Sequence, residues 1–253
     1  ETGNEHLVSV DQEGNVGHAY TVGKPDSVAF SPDLIRAMNE SGAAVVAHHN
    51  HPSNSAHSST DIKQLFRYPG LDAVVVHTND GATMMARLSP EVKMWAVGQD
   101  PGEATDVGFG LYDRAASIVT QRLGALIDNG KITRSAGNYL HADIVNRALD
   151  AAGVTDYMSS RRPTIPLPDA LIKNIIRNAV TEVRKLADRE GVPLSSEDFD
   201  ARLYRSTRAV QHEESLARLP GQPQEPSAGR PGREVGAGER GEDAGEGQGL
   251  AEE

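Results

Sequence analysis

Over the first 98 residues, apolar runs of strand length alternate with segments of helix length, each bounded by turn residues. HLVSVDQEGNVGHAY (residues 6–20) reads as two strands about a turn near Gly14. SPDLIRAMNESG reads as a short helix capped by Ser31, with Pro32 at its first position and Gly42 past its end. AAVVAH has the length and the paired valines of a buried strand. DIKQLF then reads as a helix, and LDAVVVHTNDGATMMARL as a hairpin turning at Asn79-Asp80-Gly81. Strands and helices interleave, so this part belongs to the α/β or α+β class.

From residue 99 the pattern turns helical. GQDPGEATDVG reads as a linker. Behind it, LYDRAASIVTQRLGALIDNG sets Ala115, Ile118, Val119 and Leu126 on one stripe, closed by Gly130. HADIVNRALDAAG and PDALIKNIIRNAVTEVRKLADREG are two further helices; the second aligns Ile172, Ile175, Ile176, Val180 and Val183. A last helix is expected over 196–218. Beyond it, 219–253 is a Gly-, Pro- and Glu-rich tail with almost nothing to bury, expected to be disordered. Three segments follow: 1–98, a helical module at 99–218, and the acidic tail. A chain of 253 residues accommodates one large domain or two small ones.

The most unusual local feature is VVAHHNHPSNSAHSSTDI, residues 45–62, which holds four of the 9 histidines. On an extended backbone His49 and His51 point to the same side, at the end of the AAVVAH strand, and Pro52 turns the chain away. Asp61, at the start of the DIKQLF helix, can add a carboxylate oxygen. Two histidines and one carboxylate leave a fourth position open for water, as in catalytic zinc sites. The chain has no cysteine, so any metal here is held by nitrogen and oxygen. The bland reading of Ser58-Ser59-Thr60-Asp61 is a helix capping box. His48 and His57 read as bystanders. Arg161-Arg162 is too short a basic run for nucleic-acid binding.

His49-Asn50-His51-Pro52-Ser53 followed by Ser58-x-x-Asp61 resembles the motif of the JAMM (MPN+/JAB) zinc metallopeptidases: a glutamate, then H-x-H-P, then S-x-x-D. The wording is most similar to bacterial members, RadC-like proteins and JAB domains of phage and mobile elements. Six residues separate His51 from Ser58, one fewer than the family's usual spacing, and Ser59 would fit the usual count. The resemblance covers residues 1 to about 90. It implies an α/β fold with a mixed β-sheet flanked by helices, Zn2+ on His49, His51 and Asp61, and hydrolysis of peptide or isopeptide bonds. It also implies an upstream glutamate as general base. Glu5, opening a strand-type run, suits that place; Glu1 is terminal and Glu13 lies in a turn. Ser58 would then donate to the oxyanion.

A protein or peptide substrate is the partner this reading implies, within a larger multidomain or mobile-element protein. The rivals are a non-catalytic MPN scaffold and a RadC-like DNA-associated protein. A formal net charge of -11 argues against nucleic acid. No apolar run approaches the roughly 20 residues of a membrane span, and no leader pattern opens the chain, so a cytoplasmic protein is expected. The first residue is Glu1 rather than Met, as in a processed chain or a piece of a longer one.

Overall fold

The computed structural model describes residues 3–11, 13–40, 42–161 and 167–207. The expected disordered tail, the second half of the expected last helix, Glu1 and Arg162 lie outside the described residues.

Six strands form one mixed sheet in the order β2-β1-β3-β4-β5-β6, and seven helices accompany it among the described residues. The strands are β1 His6–Val10, β2 Val16–Val22, β3 Val45–His51, β4 Leu71–Thr78, β5 Thr83–Leu88 and β6 Thr155–Ser159. The helices are α1 Pro32–Met38, α2 Ser59–Arg67, α3 Pro90–Val97, α4 Pro101–Asp128, α5 Arg134–Ala152, α6 Asp169–Arg189 and α7 Phe199–Thr207. Only the central pair, β3 and β4, runs parallel, and α2 is the crossover between them. Every other neighbouring pair is antiparallel.

Local chemistry explains most of these elements. Ser31 accepts from the amide of Leu34 to start α1, and Thr133 does the same for Ala136 at α5. α5 ends at Gly153, which takes the left-handed conformation with φ 89°. Alternation along β3 puts Val45 and Ala47 into the large core shared with the helices, and Val46 into a smaller cluster with Val10, Ala73, Val75 and Met85. His49 and His51 share the parity of Val45 and Ala47, so the helix-packed face receives them.

Two expectations fail. GQDPGEATDVG is not a linker; it runs from the cap of α3 at Gly98 into the first two turns of the 28-residue helix α4. Asp100 caps it, accepting from the amides of Gly102 (2.8 Å) and Glu103 (3.2 Å), and Pro101 sits at its first position. Gly108 is there for packing: a Cβ at that position would meet the Phe66 ring of α2 at 2.3 Å. Nor is 99–218 purely helical. It supplies β6, which pairs with β5 from Met84↔Ser159 to Leu88↔Thr155 and completes the sheet. One continuous core runs from Leu7 through Leu111 and Ile144 to Val183, so the two segments form one compact unit.

Candidate metal centre

The centre lies where β3 ends and α2 begins. β3 runs parallel to its neighbour β4, and crevices beyond the carboxyl ends of parallel strands are where open α/β sheets place their ligands. His49 and His51 are both buried, at 6% and 5% exposure. Their Nε2 atoms face each other at 2.9 Å. Asp61 comes from the first turn of α2, its Oδ1 at 3.3 Å from His49 Nε2 and its Oδ2 at 3.7 Å from His51 Nε2. These three residues are a group that could hold a metal ion, with all ligand atoms within 4.8 Å of one another.

The spacing tests the fit. Tetrahedral zinc with bonds of roughly 2.0–2.1 Å has ligands about 3.3 Å apart. The His49–His51 and His49–Asp61 Oδ1 separations of 2.9 and 3.3 Å suit that value, while His51 Nε2 lies 3.7 Å from Oδ2, the carboxylate oxygen that faces Ser58. Two buried ring nitrogens at contact distance also need something positive between them. A proton on either ring or a metal ion satisfies them, and His49 is the ring whose charged form its neighbours favour. Burial works against its charge, but the hydrogen bond to Asp61 and the fields of Asp61 and Glu5 prevail and raise its pKa. His51 is pushed the other way, chiefly by burial. Its Nδ1 lies 3.0 Å from the carbonyl of Ser55. The proton that bridges them leaves Nε2 with a free lone pair, the tautomer a metal ligand needs.

Asp61 satisfies both readings of the Ser-x-x-Asp pattern. Its Oδ2 accepts from the Ser58 amide at 2.7 Å and the Ser58 hydroxyl at 2.8 Å, while its own amide donates to Ser58 Oγ at 3.3 Å. That is a complete capping box. Oδ1 is left facing His49. Burial would raise the carboxyl's pKa, but His49, by hydrogen bond and charge, and the fields of His51 and His57 hold it well below the carboxylate range.

Glu5 precedes β1 and is buried at 8% exposure, with Oε1 4.0 Å from His51 Nε2. Burial is the main cause that pushes its carboxyl up to about 7; Asp61 and Asp26 add to this, and His49 opposes it. Sequence reasoning missed the residue that places Glu5. Asn50, between the two ligand histidines, points to the other face of β3. It accepts from the amide of His6 at 2.6 Å and donates to the carbonyl of Asn4 at 3.2 Å. Both backbone neighbours of Glu5 are thereby pinned to β3. The signal was present, as the N in H-N-H, but its use depends on a strand paired from forty residues upstream.

Comparison with protein families, with curated proteins and with solved structures finds no match to this chain.

The remaining expected residues fall as follows. Ser58 lines the cavity beside the three ligands and Ser59 does not. His48 and His57 are not surface bystanders. His48 stacks on His77 on the opposite face of the sheet, ring centroids 5.4 Å apart. His57 is fully buried, its Nε2 2.9 Å from the carbonyl of Val74. Burial drives both imidazoles down to about 4.

The loop between Pro52 and Ser58 is held at two points by the segment beyond residue 99. Tyr112 of α4 and Asn146 of α5 both donate to the carbonyl of His57, at 3.3 and 2.9 Å. Arg161, after β6, donates to the carbonyl of Asn54 at 2.5 Å and stacks over the Tyr139 ring at 4.5 Å. The β4–β5 turn closes the clamp, with the Asp80 amide donating to Asn54 Oδ1 and the Tyr139 hydroxyl to Asp80 Oδ2.

Proposed function

We propose that this chain is a JAMM-like zinc-dependent hydrolase that cleaves peptide or isopeptide bonds. One observation carries the reading: His49, His51 and Asp61 converge on a cavity of about 580 Å³ that Glu5 also lines, its Oε1 4.0 Å from His51 Nε2. When bound there, zinc would supply Lewis acidity, lowering the pKa of water toward neutrality and polarising a carbonyl.

The chain's own residues supply the rest. Glu5 takes a proton from the attacking water and passes it to the leaving amine. A carboxyl raised by burial is suited to that exchange, because a base works best with a pKa near the working pH. Ser58 turns its hydroxyl from Asp61 to the oxyanion as charge develops there. No lysine or arginine is among the described residues lining the cavity, which favours a neutral amide over a phosphodiester.

The test is metal content followed by turnover. Elemental analysis should find about one zinc per chain, absent from the His49→Ala/His51→Ala double variant. With zinc supplied, a panel of lysine-linked isopeptides and ordinary peptides should include a substrate. Glu5→Gln should keep the metal and lose on the order of 10²–10⁴-fold in turnover. A variant that keeps the wild-type rate would move the base elsewhere, and zinc with no hydrolysis of any amide would leave the scaffold reading.

A further inference from the structure

The cavity extends well past the three ligands. Its far wall is apolar and comes from two places. Val28 and Phe30 lie in the connection between β2 and α1, and Ile35 lies on α1. Tyr68 caps the end of α2, and its ring meets Phe30 edge-on with centroids 6.0 Å apart. Together they form an apolar recess in the wall of the same cavity that His49, His51 and Asp61 line.

The charge is lopsided. Three carboxylates line the cavity, those of Glu5, Asp61 and Asp26, against no lysine or arginine among the described lining residues. A divalent cation would balance Glu5 and Asp61. Asp26 would stay uncompensated: it is exposed on the same connection as Phe30, and among the described residues no ion pair or hydrogen bond engages its carboxylate.

From this we infer that the cavity takes a peptide segment that carries a large apolar side chain and a neighbouring cationic group, the apolar group against Phe30, Ile35 and Tyr68 and the cation at Asp26. This rests on the hydrolase reading for the reaction but not for the binding. A hydrophobic recess discriminates by roughly 10–200-fold. A single exposed ion pair adds only about 1.4–5-fold. The apolar position therefore dominates and the cation refines.

Two measurements separate this inference from the reading beneath it. Matched peptides carrying Leu, Phe, Ala or Asp at the first position and Lys or Glu at the second are assayed for kcat/KM on the zinc-loaded protein. The same peptides are titrated by calorimetry into Glu5→Gln, which holds substrate without turning it over. Leu and Phe should exceed Ala by at least about tenfold in both. Lys should exceed Glu by a few-fold, and Asp26→Lys should reverse that second preference while leaving the first. Binding with this preference but no cleavage upholds the inference and sinks the hydrolase. Cleavage or binding without the apolar preference, or no binding of any peptide, overturns the inference.

Discussion

Asp61 shows how one side chain can be both an ordinary helix cap and a candidate ligand. The capping box fixes the rotamer through Oδ2, and that leaves Oδ1 presented to His49 at no further entropic cost. Asn50 does the corresponding work for Glu5, the proposed base. Its amide holds the backbone on either side of Glu5, so Asn50→Ala should leave zinc affinity nearly unchanged while Glu5 drifts from its place. Misplacement by about 1 Å costs on the order of 10²-fold in rate. The expected result is therefore a large fall in kcat with metal content preserved, read by steady-state kinetics beside elemental analysis. The convergence of His49 and His51 was legible from a two-residue period on a strand. Asn50 was not, because what it holds is set by the register His6–Asn50 across β1 and β3.

At the scale of elements, the segment beyond residue 99 acts on the site through packing and through the clamp at Asn54. Gly108 lets α4 approach the Phe66 ring of α2, the helix that carries Asp61. Gly108→Ala should lower stability by about 1–3 kcal/mol through overpacking, although alanine is the better helix former. Gly124, on the same helix, has open space where a Cβ would go. Gly124→Ala should instead raise stability by roughly 0.5–1 kcal/mol. Denaturant melts of the pair decide whether packing or propensity governs α4. Arg161→Met should release Asn54 and loosen the loop that orients His51, weakening zinc binding by about 10–100-fold. Competition with a chelator measures it, and a small change in melting midpoint would separate loss of positioning from loss of fold.

Much of the first 98 residues was readable, because caps, prolines and turn residues are local signals. Ser31, Pro32 and the Asn79-Asp80-Gly81 turn mark boundaries without any knowledge of the rest. The linker reading erred where glycine serves a neighbour rather than a turn, since Gly108 looks flexible until Phe66 is placed against it. β6 escaped because TDYMS is short and mixed, and gains its strand character only from the ladder with β5. Glu5 could be named as a candidate from its order along the chain, whereas its 4.0 Å approach to His51 is a product of the fold.

For the molecule as a whole, the buried histidines set the response to acid. His57 is fully buried with its pKa at about 4 in place of 6.5, so between those values the unfolded chain binds the proton that the folded one refuses. Stability rises with pH wherever the unfolded state holds more protons. The contribution of His57 is thus complete above 6.5 and lost as pH falls to about 4, on the order of 3 kcal/mol. His48 acts in the same direction. Glu5 opposes them, because its raised carboxyl favours the folded state at low pH and withdraws that support as pH climbs from 4.5 through about 7. Chemical denaturation of chelator-treated protein from pH 7 to 4 should show falling stability, and Glu5→Gln should fall more steeply. A flat profile in both would mean that His57 is protonated in the folded chain.

The clamp has a consequence in time. Every residue of the centre, from Glu5 to Asp61, leaves the ribosome at least a hundred positions before Arg161, the side chain that fastens Asn54. At synthesis rates of about 5–20 residues per second, that gap lasts roughly 5–20 s. Through that interval the nascent chain carries both histidines and both carboxylates but neither β6 nor the anchor on the loop between them. Under the proposed zinc reading, metal capture is then a late event in the birth of this protein, timed by a strand that carries none of the three candidate ligands.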